Sequence, residues 1–414
     1  MQKALAHDQK RSLLQLINFS EELSHHIRVA TYDGDTSKEE RAYARSQANV
    51  IITNPGKATP VSSFNRYMLP LFDRRWKTKD MLHVSILPNH SAWSRFLANL
   101  KFVIIDELHV YSGTFGAHVA LVLRRLFRLT RHHRNMTCQV IGCSATIGNP
   151  LLHFGRLTGF SVSDIHVVAK DSAPAGRKYF AVWRPVDGVS GFADCGKLLV
   201  WMVRRKVRVI AFVQYRKACE LLMREVRDLW VGEGYGTAQD VPVRAYRGGY
   251  MPEDRREIEQ MLSSGELLGV VSTNALELGV DIGLLDAVLH LGFPGSLASL
   301  KQQAGRAGRK SASALSVFVP TLGPWDNHFV NDPDVLFTSK EATIESDPEN
   351  EAVLGQHVQC AAYEQPLLPD DVSWILCSDA SIALEDERIP QLRRILKRCL
   401  RPGMAQVKFL FATL

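Results

Sequence analysis

Two adjacent carboxylates, Asp106 and Glu107, follow a short run of apolar, β-favouring residues that begins at Phe102. His109 stands two positions further on. An apolar strand that ends in an Asp-Glu pair is typical of nucleotide hydrolases, in which one carboxylate holds Mg²⁺ and the other activates the attacking water. The pattern predicts a phosphoryl-transfer site, although an Asp-Glu pair after an apolar run is also common by chance.

A second set of candidate residues lies late in the chain, in the stretch QQAGRAGRK that begins at Gln302. Arg306 and Arg309 are three positions apart and have glycines beside them, which suits a clamp on a terminal phosphate. Taken alone, this stretch is better explained as a basic surface turn. In the same way, CSAT at residues 143–146 is by itself no more than a strand end.

Strand-like and helix-like segments alternate along most of the chain. Runs such as KFVIIDE, CQVIGCSAT, VRVIAFV and LLGVVSTN are separated by stretches with apolar residues at three- and four-residue spacing. This alternation predicts an α/β fold built on parallel sheets with right-handed crossovers. We predict a first domain over residues 1–170, a second over 171–332 and a mainly helical third region over 333–414, with KDSAPAGR near Lys170 as a linker.

Composition places the chain among ordinary globular proteins. Of its 414 residues, 46% are hydrophobic and 22% are charged, and no apolar run reaches the length of a membrane span, so we expect no membrane partner. The formal net charge of +7 favours acidic partners such as nucleic acid, but the surplus is small for this length. The seven cysteines include no C-x-x-C pair, which argues against a zinc site.

In order and spacing, DELH, SAT, TNALELGVDIG and QQAGRAGR resemble motifs II, III, V and VI of the superfamily two helicases. Longer phrases are similar to the RecQ-like Hrq/MrfA branch of the DEAD/DEAH-box helicases. They are KALAHDQ, YDGDT, ITNP, DMLH, DELHVYSGTFGAHVALVLRRL, YRGGYMPEDRREIE, LGFPGSLASLKQQAGRAGR and LGQHVQCAAYEQPL. The resemblance covers most of the chain and implies two RecA-like domains that close on ATP and move along DNA.

The resemblance also implies roles for individual residues. Asp106 would hold Mg²⁺ through water, and Glu107 would polarise the water that attacks ATP. Other residues at the nucleotide would be His109, Gln302, Arg306, Arg309 and Asp281, with Ser144 and Thr146 coupling this site to the DNA side. The residues on the DNA backbone would be Lys3, Thr53, Asn54, Pro55, Tyr246, Arg247, Thr273 and Asn274. The family moves 3′ to 5′ on single-stranded or forked DNA and is associated with DNA repair, so repair factors are implied partners.

One departure from the family pattern is a missing phosphate loop. No G-x-x-x-x-G-K-[ST] occurs in the 414 residues, and in the family this loop lies just upstream of KALAHDQ. We therefore expect the chain as written to be a fragment that lacks turnover and stops short of the family's zinc module. The alternative is a nucleic-acid-binding helicase remnant without catalysis, although intact Asp106, Glu107, Arg306 and Arg309 favour the enzyme.

A second departure is the insertion GKATPVSSFNRYMLPLFDRRWKTK, residues 56–79, between ITNP and DMLH, which family members join directly. A species-specific surface loop is one explanation, because the entropy of loop closure grows slowly with length. We favour a translated intron. Gly56-Lys57 can be encoded GGTAAG and Lys79-Asp80 can be encoded AAAGAY, and excision between these sites keeps the frame. An intron would indicate a eukaryotic protein of the nucleus; otherwise we expect the cytoplasm.

If residues 56–79 are a retained intron, mature transcripts should lack the corresponding codons. A chain without this segment should also be more soluble and more resistant to limited proteolysis, because an unpacked segment is an easy site for nicking. Sequencing of transcripts across the region is the deciding measurement. Transcripts that mostly contain those codons would contradict the intron hypothesis.

Overall fold

The computed structural model of the chain describes residues 2–33, 36–53, 81–145, 147–170, 172, 176–185, 189–277, 283, 285–308, 313–339, 343–368 and 371. The chain divides into two compact units. The first unit holds residues 9–168 and the segment from Thr343 onward, and the second holds residues 1–8 and 169–342. Among the described residues, no helix is both long enough and apolar enough to cross a membrane.

Two short parallel strand pairs lie in the first unit. In chain order, the elements up to residue 158 are α1 (Gln2–Asn18), α2 (Glu21–His26), β1 (Val29–Tyr32), α3 (Lys38–Ser46), β2 (Val50–Thr53), α4 (Ser94–Ala98), β3 (Phe102–Ile105), α5 (Gly113–His132), β4 (Gln139–Gly142) and α6 (Pro150–Thr158). β1 pairs with β2, and β3 pairs with β4, both in parallel. Shorter helical segments lie at Leu82–Ile86, Leu87–Trp93, Leu108–Val110 and Val162–Asp164.

Helix α5 forms the centre of the first core. Every residue from Val119 to Thr130 is buried, and a helix that is buried all round must have neighbours on every side. Trp93 and Leu97 belong to the hydrophobic cluster that surrounds it. Three arginines of α5 are buried with its apolar residues, and each donates hydrogen bonds to carbonyl or carboxylate oxygens of the same unit. The helix thus combines an apolar core with buried charges that are each hydrogen-bonded to oxygen atoms.

The second unit is built on a six-stranded sheet whose strands all run parallel. Its elements are β5 (Lys178–Val182), α7 (Gly191–Arg204), β6 (Val209–Val213), α8 (Arg216–Gly232), β7 (Val243–Tyr246), α9 (Pro252–Ser264), β8 (Gly269–Ser272), β9 (Ala287–Leu291), α10 (Leu297–Ala304), β10 (Ala314–Val319), α11 (Pro324–Asn331) and α12 (Val335–Thr338). The strand order is β5-β10-β9-β6-β8-β7. β6, β8 and β9 are buried throughout, as expected for parallel strands covered on both faces. The α/β prediction is confirmed.

Helix α13 (Glu351–Glu364) lies in the first unit and packs against α5. Asn350 caps the start of α13 by accepting hydrogen bonds from the backbone amides of Ala352 and Val353 (3.1 and 3.4 Å). Near the end of the helix, Glu364 forms a buried ion pair with Arg125 of α5, whose Nε donates to Glu364 Oε2 at 3.1 Å. The sequence predicted helix in this region but did not indicate its packing partner.

Arg128 of α5 binds the C-terminal end of α13. Its guanidinium donates to the carbonyl oxygens of Ala361 (2.9 Å), Gln365 (2.9 Å) and Pro366 (2.8 Å), and it pairs with Asp371 at 3.0 Å. The last carbonyls of a helix have no partner within the helix, and the helix dipole favours a cation there. Two arginines of α5 therefore attach α13 through polar contacts as well as through packing.

Replacing Glu364 with alanine should lower the free energy of unfolding of the first unit by roughly 3–5 kcal/mol, because Arg125 would stay charged and buried without its partner. Urea denaturation is the measurement. Asp228→Ala is the control for an exposed ion pair: it removes the acid of the Arg224–Asp228 pair (3.7 Å) on α8 of the second unit and should lower the free energy of unfolding of that unit by less than about 1 kcal/mol. Equal losses in the two variants would contradict the structural role given to the buried pair.

Candidate active site and nucleic-acid interface

The parallel pairing of β3 with β4 places DELH beside CSAT. Ile105, the last residue of β3, is opposite Gly142, the last residue of β4. Hydrogen bonds continue beyond both strands, from Cys143 N to Ile105 O and from Leu108 N to Cys143 O, each at 2.9 Å. Ligands of doubly wound α/β folds bind outside the carboxyl ends of the strands. The structure therefore brings the two motifs together where a nucleotide would be expected.

The two acidic residues of DELH differ in hydrogen bonding and in backbone conformation. Asp106 Oδ1 accepts a hydrogen bond from the amide of Glu107 at 2.9 Å, and Oδ2 accepts one from Gln9 Nε2 at 2.6 Å. Glu107 has a left-handed backbone, with φ of 51°, which is uncommon for a residue with a side chain and costs about 1–2 kcal/mol. Strain of this kind is concentrated at functional sites. Among the described non-glycine residues Arg134 and Lys206 also have positive φ, and Glu107 is the one of the three that lies in a candidate motif.

His109 connects the carboxylates to the second motif. Its Nδ1 lies 3.5 Å from Glu107 Oε2 and 3.1 Å from Ser144 Oγ. Burial lowers the pKa of His109, and the nearby Asp106 opposes this effect without reversing it. The imidazole is therefore neutral at pH 7, so its contact with Ser144 is a hydrogen bond and its contact with Glu107 is not an ion pair. Burial, together with Asp106 and Glu107, also raises the pKa of Tyr111 to about 12.

The donor set at this edge fits Mg²⁺ bound together with a nucleotide. Magnesium prefers carboxylate, phosphate and water oxygens, and Asp106 offers such an oxygen. Within the described parts of the chain, no three His, Cys, Asp or Glu side chains are grouped as a metal site. These side chains would therefore supply only part of a coordination shell, and phosphates and water would supply the rest.

A buried hydrogen-bond network joins the two motifs of the second unit. Gln303 Nε2 donates to Glu277 Oε2 at 2.9 Å, and Gln303 Oε1 lies 3.0 Å from His290 Nδ1. Burial lowers the pKa of His290 to about 4, so this histidine is neutral and can donate to the glutamine. Arg306 donates through Nε to the backbone oxygen of Glu277 at 2.8 Å. Glu277 of TNALELG is thereby bonded to two residues of QQAGRAGR.

Sequence reasoning did not single out Glu277, His290 or Gln303. Their only signal was a position inside or beside recognised motifs, and nothing in the sequence indicates that they are bonded to one another. The same network engages Arg306, which is 9% exposed, whereas Gln302 is half-buried. A contact between the Arg306 guanidinium and a nucleotide phosphate stays a prediction.

Two of the candidates for DNA contact follow strand β8. Asn274 is exposed in the short helical turn after this strand, whereas Thr273 beside it is buried. In the first unit, Thr53 ends β2 and donates through Oγ1 to Tyr32 O at 2.8 Å. Asn274 is therefore the candidate of these three whose side chain is open to a nucleic-acid strand.

Tyr246 and Arg247, at the end of β7, lie in different environments. Tyr246 is 2% exposed, and its hydroxyl donates to Glu259 Oε1 at 2.5 Å. A side-chain contact from Tyr246 to DNA is therefore not supported, because the hydroxyl is engaged inside the unit. Arg247 is partly exposed, pairs with Glu220 at 2.7 Å, and lies with its guanidinium 4.8 Å from the ring centre of Tyr250. Arg247 is the cation that this loop presents.

Some predicted residues lie outside the part of the chain that the structure describes. They are Asn54, Pro55, Thr146, Asp281 and Arg309, together with the insertion at 56–79 and the side chain of Lys3, whose backbone is in α1. Their assignments stay predictions.

Three family models match the chain. They are the DEAD/DEAH box helicase over residues 2–153, the helicase conserved C-terminal domain over 192–311, and the winged helix domain of ATP-dependent helicase HRQ1 over 346–407. DELH and CSAT lie in the first, and TNALELG and QQAGRAGR lie in the second. The fold and the site thus define a DEAD/DEAH-box helicase chain with two RecA-like domains, as predicted.

Similar proteins narrow this class. The chain is 42% identical over 380 residues to ATP-dependent helicase HRQ1 of Saccharomyces cerevisiae, covering 88% of this chain and 32% of that protein. It is 40% identical over 376 residues to the helicase YprA of Bacillus subtilis, covering 89% and 46%. A crystal structure of the helicase MrfA bound to DNA and AMPPNP matches with a TM-score of 0.77 at 38% identity, covering 95% and 50%. The chain is homologous to the Hrq1, YprA and MrfA helicases, and it spans 32% to 50% of their length.

Proposed function

We propose that this chain is the nucleotide-hydrolysing and DNA-tracking core of an ATP-dependent helicase that moves 3′ to 5′ along single-stranded or forked DNA in DNA repair. The observation that carries the proposal is the shared edge of β3 and β4, where Asp106, Glu107, His109 and Ser144 come together. Homology to proteins named ATP-dependent helicases supports the reaction. The DNA in the MrfA crystal structures supports the class of substrate.

The residues of this edge have complementary tasks. Mg²⁺, when bound, neutralises charge on the phosphates during transfer, and Asp106 is the residue that would hold it. Glu107 would accept the proton of the attacking water, because its side chain is partly exposed and it follows Asp106 directly in the chain. The neutral His109, between Glu107 and Ser144, transmits a change at the first motif to the second. By the resemblance to the family, Arg306 and Arg309 would stabilise the transferred charge, with Gln302 and Asp281 at the nucleotide.

DNA binding would depend on backbone contacts from both units. The candidates are Lys3, Thr53, Asn54, Pro55, Arg247, Thr273 and Asn274. Contacts to phosphate and sugar confer little sequence preference and strong dependence on salt. Repair factors as partners and a nuclear location belong to the same proposal, the latter through the suspected intron at 56–79.

The first test measures ATP hydrolysis. We expect the 414 residues by themselves to show no DNA-stimulated turnover, because no phosphate-binding loop is among them and its amides and lysine supply much of the nucleotide binding. Fusing an upstream strand, phosphate loop and helix, with residues 56–79 removed, should restore turnover. In that protein Glu107→Gln should lower the rate at least ~10²-fold while sparing ATP binding, since an amide keeps the shape but cannot accept the proton.

Further variants distinguish the enzyme from a nucleic-acid-binding remnant without catalysis. Arg309→Ala should also abolish hydrolysis in the restored protein. A restored protein that binds DNA but never hydrolyses ATP would favour the non-catalytic remnant. Turnover by the 414 residues themselves, if eliminated by Glu107→Gln, would show that the phosphate site lies elsewhere in the chain.

The second test measures DNA binding across a salt series. Arg247→Ala should weaken binding of single-stranded DNA about equally for all sequences, and it should reduce the slope of log K against log salt by about 0.7. Arg224→Ala is the matched control, because it removes the same charge from an exposed helix surface outside the predicted DNA motifs. Binding that depends on base sequence but hardly on salt would rule out backbone tracking.

A further inference from the structure

A short segment, residues 343–346, contacts the beginnings of both helices that follow the catalytic motifs; it is termed the strap below. Ile344 N donates to Asn149 Oδ1 at 2.9 Å, and Asn149 Nδ2 donates to Ile344 O at 3.2 Å. The side-chain amide of Asn149 therefore satisfies both backbone groups of one strap residue. Two reciprocal hydrogen bonds fix position and orientation better than one.

This pairing takes Asn149 away from the role that its position favours. Asn149 precedes Pro150, the first residue of α6, and asparagine is among the best residues for capping a helix at that position. Its side chain nevertheless makes no capping hydrogen bond. The oxygen and the nitrogen of the side-chain amide both bond to the strap instead. Asn149 therefore connects α6 to the strap and does not cap α6.

The strap also completes the beginning of α5. Gly113 N, in the first residue of α5, donates to Glu345 O at 2.7 Å. The first amides of a helix have no partner within the helix, and Ser112 supplies no side-chain cap here. Ser346 then passes close to the helix: a Cβ added at Gly116 would lie 2.9 Å from Ser346 Cβ and 2.3 Å from Tyr111 O. Glycine at 116 is what permits this approach.

Both anchor points follow catalytic motifs directly. α5 begins just after DELH, and α6 begins just after CSAT. On its other side the strap leads to α13, which Arg125 and Arg128 hold against α5. The match to the winged helix domain begins at residue 346. The strap is therefore the junction between that region and the two motifs.

We propose that the strap couples the winged-helix region to the relative positions of DELH and CSAT, and that Asn149 is the positioning residue of this coupling. A shift of α13 would reach α6 through Ile344 and α5 through Glu345, since each contact is a direct hydrogen bond. The catalytic consequence rests on the proposed function, whereas the coupling is a property of the fold that can be measured without hydrolysis.

Hydrogen exchange on the 414-residue chain tests the coupling itself. Asn149→Ala removes both hydrogen bonds to Ile344, and Ile344→Pro removes the backbone donor. In each variant, amide exchange should rise about fivefold or more in the strap and at the beginnings of α5 and α6, including Gly113 N. The matched control is Asn99→Ala, which removes an exposed amide that donates to Arg95 O at 2.8 Å and should leave these rates unchanged.

Kinetics test the positioning role in the protein with a phosphate loop. Asn149→Ala should lower kcat for DNA-stimulated ATP hydrolysis about fivefold and leave KM for ATP within twofold. Asn149→Asp keeps an acceptor for Ile344 N and should recover part of the loss. The double variant with Ile344→Pro should be no slower than the slower single variant, because both changes break one link.

Exchange that rises only within the strap, with α5 and α6 unchanged, would overturn the coupling. A fully additive double variant, or a kcat unaffected by Asn149→Ala, would overturn the positioning role. If the parent protein hydrolyses no ATP, the proposed function fails, and the exchange measurement still decides whether the strap couples the two helices.

Discussion

The hydrogen bonds that join β3 to β4 continue past the last strand residues, and the candidate site depends on this continuation. Cys143 N bonds to Ile105 O and Leu108 N bonds to Cys143 O, so the two motif loops are held in the register of the strands. A slip of one residue would turn each side chain to the opposite face of the sheet. The contact of His109 with Ser144 therefore follows from strand pairing.

Buried charge determines how the rest of the first unit is arranged around that edge. A buried cation is costly unless it is paired, so the arginines of α5 restrict which surface can cover the helix. α13 meets this requirement with the Glu364 carboxylate and with the carbonyl oxygens at its C-terminal end. Apolar packing alone would allow α13 to lie against α5 in more than one way. The hydrogen bonds of the buried arginines form in only one of these placements.

In the second unit, buried polar side chains are also hydrogen-bonded to one another. Glu277, Gln303 and Arg306 bring its two motifs together through a network in which every partner is nearly or fully buried. A neutral His290 at the base of this network accepts no extra proton near pH 7, because burial holds its pKa at about 4. The loop geometry is thus held by hydrogen bonds inside the unit, and Asn274 of the same loop stays exposed.

Local pattern alone was enough for the parallel α/β class and for the motifs that define the helicase relationship, because strand and helix periods and motif order are properties of neighbouring residues. The pairing of DELH with CSAT could be expected for the same reason, since successive strands of such folds are often adjacent. The bonds between Asn149 and Ile344 join residues 195 positions apart, and the bond from Tyr246 to Glu259 buries a side chain expected at the DNA. Only the tertiary structure decided these, because a polar side chain has the same local sequence signal whether its partner is water, DNA or a distant part of the chain.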